Sequence, residues 1–479
     1  MLMHNVSMLQ RLSLIGVAVG AIFIAVYPFG IFYETALASL LLIVVLCVPI
    51  FSRQLKWYEP VCAMNAMLAL LASAGVYFAY TGFTTAEHAI HSFPELAQRA
   101  PLTLVYISIW MLCFYVGYYL LRTVPFSVSK VGPIIPKLKG RQSKLALAIS
   151  LICFVFAMIN VGYNIWLFNP DSPLSFFTSF GVSKYREKIN EGVYTTLGYH
   201  LFIVSLIFFR YSFQRWTLFR LSVLSIILLA SLVSILSRGQ IFFTFSVLLF
   251  FFSLEYFFSE NRDRYFKWAI RILPLIFVCI VFSYFARLVS VEVFLAERDG
   301  YNIDVVQAFL NKLTGFGALI LGKGNVPNLP AMLVYEDHFG HVEDFLHGRS
   351  IFSWSAAFLP FFEATYIGYG ISEAWYPNNV GGIPPGVIHE AVANFGGWGA
   401  LLFAFLFGAI SVLIFNSVSN RPSFILVIIY MALLVRFWFI LPKVEFAVLS
   451  NAIWLFLPTA FIYAVFFVLA KTLYPESFD

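Results

Sequence analysis

The chain has 479 residues, of which 61% are hydrophobic and only 11% are charged, whereas soluble domains carry about 25% charged residues. So few charges cannot cover a globular surface in water, so the composition excludes a soluble domain and predicts a chain whose solvent is the bilayer. The formal net charge of +6 is spread over short loops rather than gathered on one face, which argues against a nucleic-acid partner.

Apolar runs long enough to cross about 30 Å of hydrocarbon recur along the chain. They predict an all-α, polytopic membrane protein of about 12 transmembrane helices. The first run is long enough to span and lacks a small-residue cleavage site, so we expect it to stay in the protein and not to be a signal peptide. The twelve runs are 10–31, 35–51, 61–81, 102–121, 145–168, 195–209, 219–237, 240–258, 268–290, 397–417, 423–441 and 446–470.

Most Lys and Arg residues fall in alternate loops, and the positive-inside rule then places both termini in the cytoplasm. On this topology, residues 1–290 hold transmembrane helices 1–9 and residues 291–395 form one large extracytoplasmic loop. Residues 396–479 hold helices 10–12 and a cytoplasmic tail. No cytoplasmic loop is long enough for a domain, and none carries GxxxxGK[ST] or a GxGxxG before a helix. The sequence therefore predicts no recognisable nucleotide site on that side.

The long outer loop carries structural signals of its own, as expected for so long a connection. Asp304 followed by Gln307 resembles a capping box and predicts an amphipathic helix near 305–321. A second apolar stretch, 350–367, is interrupted by Pro360 and predicts a helix that lies in the interface rather than one that spans. The alternative, a spanning 350–367, would reverse the orientation of everything after it.

Several charged residues fall at the outer ends of predicted helices, where charge is costly and marks functional candidates. Arginine suits a diphosphate because its planar fork donates bidentately and keeps its charge. Arg238 stands in a tight turn between two spans, Arg287 ends the span before the large loop, and Arg298 follows it. Arg436 and Lys443 lie at similar depth. The alternative for each is a side chain that reaches ordinary lipid headgroups.

Prolines followed by an uninterrupted run predict a short helix that starts near Pro385 and ends at Asn394 or Gly396, just before a span. It carries His389 and Glu390, and both residue types can act as a general base toward a sugar hydroxyl. Successive helical residues point about 100° apart, so we expect only one of them to face a site. The alternative is a hydrogen-bonding pair at a helix end.

Other candidates in the outer loop are substrate contacts. Tyr366 and Trp375 could stack on sugar rings, although interfacial aromatic belts use the same residues. The polar cluster at 336–347 contains three histidines, but its spacing matches no metal motif, so we interpret it as a solvated loop. The first outer loop lacks the pair of acidic residues that could bind a divalent cation, so we expect no metal. We also expect no other cofactor.

A family resemblance emerges from four features taken together. They are the multiple spans, the long outer loop late in the chain, the Ser237-Arg238-Gly239 turn and the PPGxxxE…NFGxxG stretch from Pro384 to Gly399. This combination resembles the O-antigen polymerases, the Wzy-type oligosaccharide repeat-unit polymerases, over roughly residues 230–470. The resemblance implies a GT-C-like fold in a bacterial inner membrane with the active site facing the periplasm. It also implies membrane lipids, undecaprenyl-diphosphate-linked glycans, a flippase and a chain-length regulator as partners, and lipopolysaccharide biosynthesis as the process served.

The resemblance implies a metal-independent glycosyl transfer. The terminal hydroxyl of one lipid-linked repeat unit attacks the anomeric carbon of a growing glycan and displaces undecaprenyl diphosphate. Related O-antigen ligases share the architecture, and a transporter or flippase for lipid-linked sugars is a further alternative, although no internal repeat is visible. In the implied site, Arg238 and Arg287 hold the leaving diphosphate with help from Arg298, Arg349 and Arg436, His389 or Glu390 activates the hydroxyl, and Lys443, Tyr366 and Trp375 contact substrate.

Overall fold

Helices dominate the described part of the chain, as expected where a backbone in hydrocarbon must satisfy its polar groups internally. The computed structural model describes residues 16–27, 29–51, 55–56, 58–83, 94–123, 140–168, 193–213, 329–359, 367–375, 384–420 and 423–473, with isolated residues at 217–227, 304–310 and 365. Within these ranges no β-strand occurs, apart from an isolated bridge between Phe339 and Glu343.

The helices are numbered here in chain order. They are α1 (Gly16–Val26), α2 (Tyr33–Cys47), α3 (Pro60–Thr81), α4 (Pro94–Gln98), α5 (Ala100–Leu120), α6 (Gly140–Phe168), α7 (Val193–Tyr211), α8 (Leu329–His338), α9 (Ile367–Trp375), α10 (Gly386–Asn420), α11 (Phe424–Leu433) and α12 (Leu449–Leu473).

Six segments of the described chain are helical, long and apolar enough to cross a membrane. The prediction of an all-α, multi-pass membrane protein is confirmed to that extent. The predicted runs 240–258 and 268–290 lie outside the described residues, so the number twelve stays a prediction. The six segments are Gly30–Phe51, Pro60–Thr81, Ala100–Leu120, Gly140–Asn160, Gly386–Asn420 and Phe456–Leu473.

The chain divides into two compact units. The first unit comprises Met1–Ser127, Gly315–Pro422 and Leu433–Ala452. The remainder forms the second unit, in which α6 packs along α7. There the Ser150 hydroxyl donates to the Ser205 carbonyl at 2.9 Å, which satisfies a polar group in an otherwise apolar helix contact.

In the first unit α2 packs on α3 and α5, and α5 packs on α10. The α5–α10 crossing depends on two glycines. A Cβ on Gly117 would overlap the Phe405 carbonyl oxygen, and a Cβ on Gly408 would overlap the Phe114 carbonyl oxygen. Small residues let helix backbones approach closely inside a bilayer, where tight van der Waals packing drives helix association.

The two ends of α5 carry different polar clusters. At its C-terminal end, the buried Glu59 carboxylate accepts hydrogen bonds from Arg122 at 2.7 Å and from the Tyr118 hydroxyl at 2.9 Å. At its N-terminal end, the Tyr106 hydroxyl donates to the Gly397 carbonyl at 2.7 Å. Because α5 rises about 1.5 Å per residue, the step from Tyr106 to Tyr118 separates the two polar groups by roughly 18 Å along the helix, a little over half of the hydrocarbon thickness of about 30 Å.

The prediction of an interfacial helix over 350–367 is wrong for residues 350–359, which the structure describes. Only a short 3₁₀ helix, Ser353–Ala357, forms there, inside a series of turns. The Ser353 hydroxyl donates to the Thr365 carbonyl at 2.9 Å and accepts from the Thr365 amide at 2.8 Å. Such bonds between serine side chains and the backbone compete with helical pairing, which the apolar composition of the stretch does not reveal.

Two other sequence predictions concern helix ends. The Gln307 amide donates to Asp304 Oδ1 at 3.3 Å, as a cap requires, while most of 305–321 lies outside the described residues. The predicted span 423–441 stops early. Its α-helix ends at Leu433, and a π-helical turn, Leu434–Trp438, follows before the chain turns away.

The glycine crossing generates a stability prediction. Gly117→Ala and Gly408→Ala should each destabilise the protein by about 1–3 kcal/mol, the usual cost of overpacking. Gly16→Ala is the control, because no atom of the described residues lies within 4 Å of its added methyl. Thermal unfolding of the detergent-purified variants measures the effect. Unchanged unfolding temperatures for both crossing variants would show that the helices do not approach as described.

Candidate functional site

The candidate site is built around the first arm of α10, residues 386–395. Pro384 and Pro385 precede the helix, and the Val387 amide donates to the Leu441 carbonyl at 3.0 Å. The arm ends at Gly396, whose φ of 69° and ψ of 178° interrupt the helix. Residues with a side chain rarely adopt this backbone conformation. The predicted short helix before a span is therefore confirmed.

His389 lies on this arm and meets the end of α8. Its Nε2 atom is 2.8 Å from Oε1 of Glu336, and the His389 side chain is 0% exposed, whereas that of Glu336 is 23% exposed. A carboxylate only accepts hydrogen bonds, so the proton of this contact belongs to Nε2. The other ring nitrogen, Nδ1, is buried and has no hydrogen-bond partner among the described residues. We call these two residues the His389–Glu336 pair.

Glu336 is held from a second side by α5. Its Oε2 atom accepts a hydrogen bond from the Thr103 hydroxyl at 2.5 Å. One turn earlier, just before α5 begins, Arg99 binds Asp337 at 2.5 Å. This ion pair is partly exposed and adds little stability by itself, but it places a cation and an anion next to the Glu336 carboxylate.

Glu390, the next residue along the arm, has structural partners. The Ser350 hydroxyl donates to its Oε1 at 2.8 Å, and the Phe446 amide donates to its Oε2 at 2.5 Å. Asn394, one turn later, donates to Ser350 Oγ at 2.7 Å and accepts from the Gly348 amide at 2.9 Å. Glu390 and Asn394 thereby fix the turns around 346–350 to the arm.

Two further ionisable residues lie in the segment after the π-helical turn. The Glu445 carboxylate accepts the Gly368 amide at 2.6 Å. Burial raises the pKa of Glu445 to about 7 although backbone amides act in the opposite direction. Burial lowers the pKa of Lys443 to about 7. Neither group is therefore a fixed charge at neutral pH.

The structure describes only some of the residues predicted to bind diphosphate or substrate. Arg238, Arg287, Arg298 and Tyr366 lie outside the described residues. Arg349 is exposed on the turns that Glu390 and Asn394 hold, next to Ser350. Arg436 lies in the π-helical turn and is only 2% exposed. Trp375 is half-buried and donates through its ring N–H to His338 Nδ1 at 3.1 Å.

The prediction of a solvated loop over 336–347 is wrong for Glu336. It lies instead near the end of α8, whose other residues from Leu329 to Tyr335 are all buried. An acidic residue in the last turn of an otherwise apolar helix was the available signal. His338 of the same cluster contacts Glu343 at 3.3 Å, and no three His, Cys, Asp or Glu side chains in the described ranges converge as a metal site.

Comparison with known proteins assigns neither a family nor a fold to this chain. No protein-family model matches this sequence, and neither a curated protein nor a solved structure matches it. The geometry of the described residues therefore carries the functional argument.

The contacts of Glu390 generate a prediction that separates a structural role from a catalytic one. Glu390→Gln should remain folded and functional, because an amide can still accept the Phe446 N–H and donate to Ser350. Glu390→Ala should lower the unfolding temperature, since it leaves the part-buried Phe446 amide and the buried Ser350 hydroxyl without their acceptor, at a cost of about 1–3 kcal/mol. Thermal unfolding of the purified variants measures stability, and complementation of the phenotype of a strain that lacks the gene measures function. A folded but inactive Glu390→Gln protein would contradict the structural role.

Proposed function

We propose that this chain is a glycosyltransferase that joins undecaprenyl-diphosphate-linked oligosaccharide repeat units into a surface polysaccharide. It would act at the extracytoplasmic face of a bacterial inner membrane. The observation that carries the proposal is the His389–Glu336 pair, a buried histidine bonded to a partly exposed carboxylate. Transfer to a sugar hydroxyl requires a group that removes the hydroxyl proton, and such a pair supplies one.

The position of the pair supports a membrane-bound substrate. The Thr103 hydroxyl bonds Glu336 and so places the pair beside the N-terminal end of α5. His389 lies about two helical turns before the break at Gly396. From there the second arm of α10, residues 397–420, continues as an apolar helix. A substrate with a lipid tail in the bilayer and a sugar diphosphate at the surface would meet the protein at this level.

The basic residues that follow α5 support the outward orientation. The positive-inside rule assigns the Arg122 end of α5 to the cytoplasm, because the segment 122–144 also carries Lys130, Lys137, Lys139, Arg141 and Lys144. The His389–Glu336 pair lies at the opposite end. The full proposal retains the twelve spans and the GT-C-like architecture that the family resemblance implies.

Release of the diphosphate requires stabilisation of its negative charge. Arg238, Arg287 and Arg298 remain the predicted ligands, and Arg349 is a further exposed guanidinium on the turns that contact the arm of residues 386–395. Positioning the acceptor hydroxyl against the anomeric carbon supplies a second large part of the acceleration, because it makes the reaction effectively unimolecular.

Deletion of the gene in the native host, followed by complementation with variants, tests the proposal. A strain that lacks this gene should make surface glycans capped with a single repeat unit in place of a ladder of lengths. The wild-type gene and Asp344→Asn, a substitution at an exposed loop carboxylate, should restore the ladder. The double variant Glu336→Gln/His389→Gln should not, although it accumulates in the membrane.

Two outcomes of the same experiment would contradict polymerisation. Loss of all surface glycan, with complete polymer still attached to the lipid diphosphate, would indicate the ligase alternative. Retention of single repeat units on the cytoplasmic side would indicate a flippase. A normal ladder from the double variant would remove the His389–Glu336 pair from the reaction.

A further inference from the structure

The two members of the His389–Glu336 pair differ in their access to a substrate. Both nitrogens of the His389 ring are enclosed, because Nε2 is bonded to Glu336 and Nδ1 is buried. With a side chain that is 0% exposed, His389 cannot touch a sugar hydroxyl in this structure. Glu336, at 23% exposure, is the member that a substrate can reach.

The Glu336 carboxylate retains the capacity to take a proton. Each of its oxygens has two lone-pair directions, and each accepts one described side-chain bond, Oε1 from His389 and Oε2 from Thr103. These two donors come from two different helices, α10 and α5. They fix the carboxylate in one orientation before any substrate arrives, which is what a catalytic group requires of its surroundings.

We propose that Glu336 is the catalytic base of the transfer and that His389 is a positioning residue that orients its carboxylate. The inference rests on the proposed function and names the residue that carries out its proton transfer. It replaces the expectation that His389 or Glu390 activates the hydroxyl, since both of those side chains are enclosed by protein.

In the proposed step, the acceptor hydroxyl gives its proton to a Glu336 oxygen as its own oxygen bonds to the anomeric carbon. The bond from that carbon to the diphosphate breaks, and the electron pair leaves with the diphosphate. Glu336 then releases the proton to water. Atoms and charge balance without a metal, an oxidant or a reductant.

The charged surroundings of Glu336 come from several elements. His389 of α10 contacts Glu336 directly. Asp337 follows Glu336 on α8 and forms an ion pair with Arg99, which lies just before α5. Tyr106, three residues after Thr103 on α5, donates its hydroxyl to the Gly397 carbonyl at 2.7 Å. A pH profile of the reaction therefore reports on this group of residues, and only a comparison of variants assigns it to Glu336.

Two near-isosteric substitutions test the assignment in purified, reconstituted protein supplied with the host's lipid-linked repeat units. His389→Gln keeps an N–H donor near the position of Nε2 but cannot titrate. It should retain kcat within about tenfold and keep the acid limb of the pH profile. Glu336→Gln can keep both contacts, because its Oε1 accepts from His389 while its amide nitrogen donates to the Thr103 hydroxyl oxygen, but it loses its basicity. It should lower kcat by about 100-fold or more, the usual contribution of a general base, with little change in KM.

A small carboxylate provides a second measurement. Glu336→Ala should be inactive and should regain part of its activity in formate, whereas Asp344→Asn should be active without formate and unaffected by it. Rescue distinguishes a lost base from a lost structural contact, and it remains informative even if His389→Gln fails to fold. An active Glu336→Gln protein, or an inactive but folded His389→Gln protein, would overturn the assignment.

Failure of the proposed function has a different signature. If wild-type protein releases no undecaprenyl diphosphate and forms no longer glycan, polymerisation itself is excluded, and the role of Glu336 falls with it. If wild-type protein is active and the formate and glutamine results are negative, the function stands and another residue takes the proton.

Discussion

The break at Gly396 is the constraint on which the candidate site depends. A helix that crosses a bilayer cannot carry His389, Glu390 and Asn394 against lipid, because unpaired polar groups are costly in hydrocarbon. The positive φ at Gly396 ends the polar arm before the apolar one begins and lets the two arms of α10 serve different purposes. The polar arm then packs against protein on several sides, and the apolar arm pairs with α5.

Adjacent positions on that arm have separate roles. Glu390 and Asn394 form hydrogen bonds that hold the turns around 346–350. A buried polar network is stable only when its groups are paired in this way. His389 points instead toward α8 and meets a carboxylate that is still partly exposed. The angular separation of successive helical residues thus divides the arm into a structural face and a face suited to chemistry.

The sequence predicted those features that are local. Pro384-Pro385-Gly386 and Gly396 act through backbone geometry within a few residues, so the short helix and its end were recognisable. Glu336 was not, because its partners Thr103 and His389 are distant in sequence and five of the eight residues 337–344 are charged or histidine. The stretch after Ser350 was misinterpreted because serine–backbone bonds outweighed its apolar composition. The crossing at Gly117 and Gly408 likewise depends on tertiary packing that no single segment encodes.

The most direct measurement is a structure of the protein in lipid nanodiscs with its lipid-linked repeat units bound. The account predicts the acceptor hydroxyl within hydrogen-bond distance of the Glu336 carboxylate, about 2.6–3.2 Å, with His389 still bonded to Glu336 from behind. A bound diphosphate at the Glu59–Arg122 end of α5, or an acceptor sugar in contact with Glu390 and remote from Glu336, would contradict it.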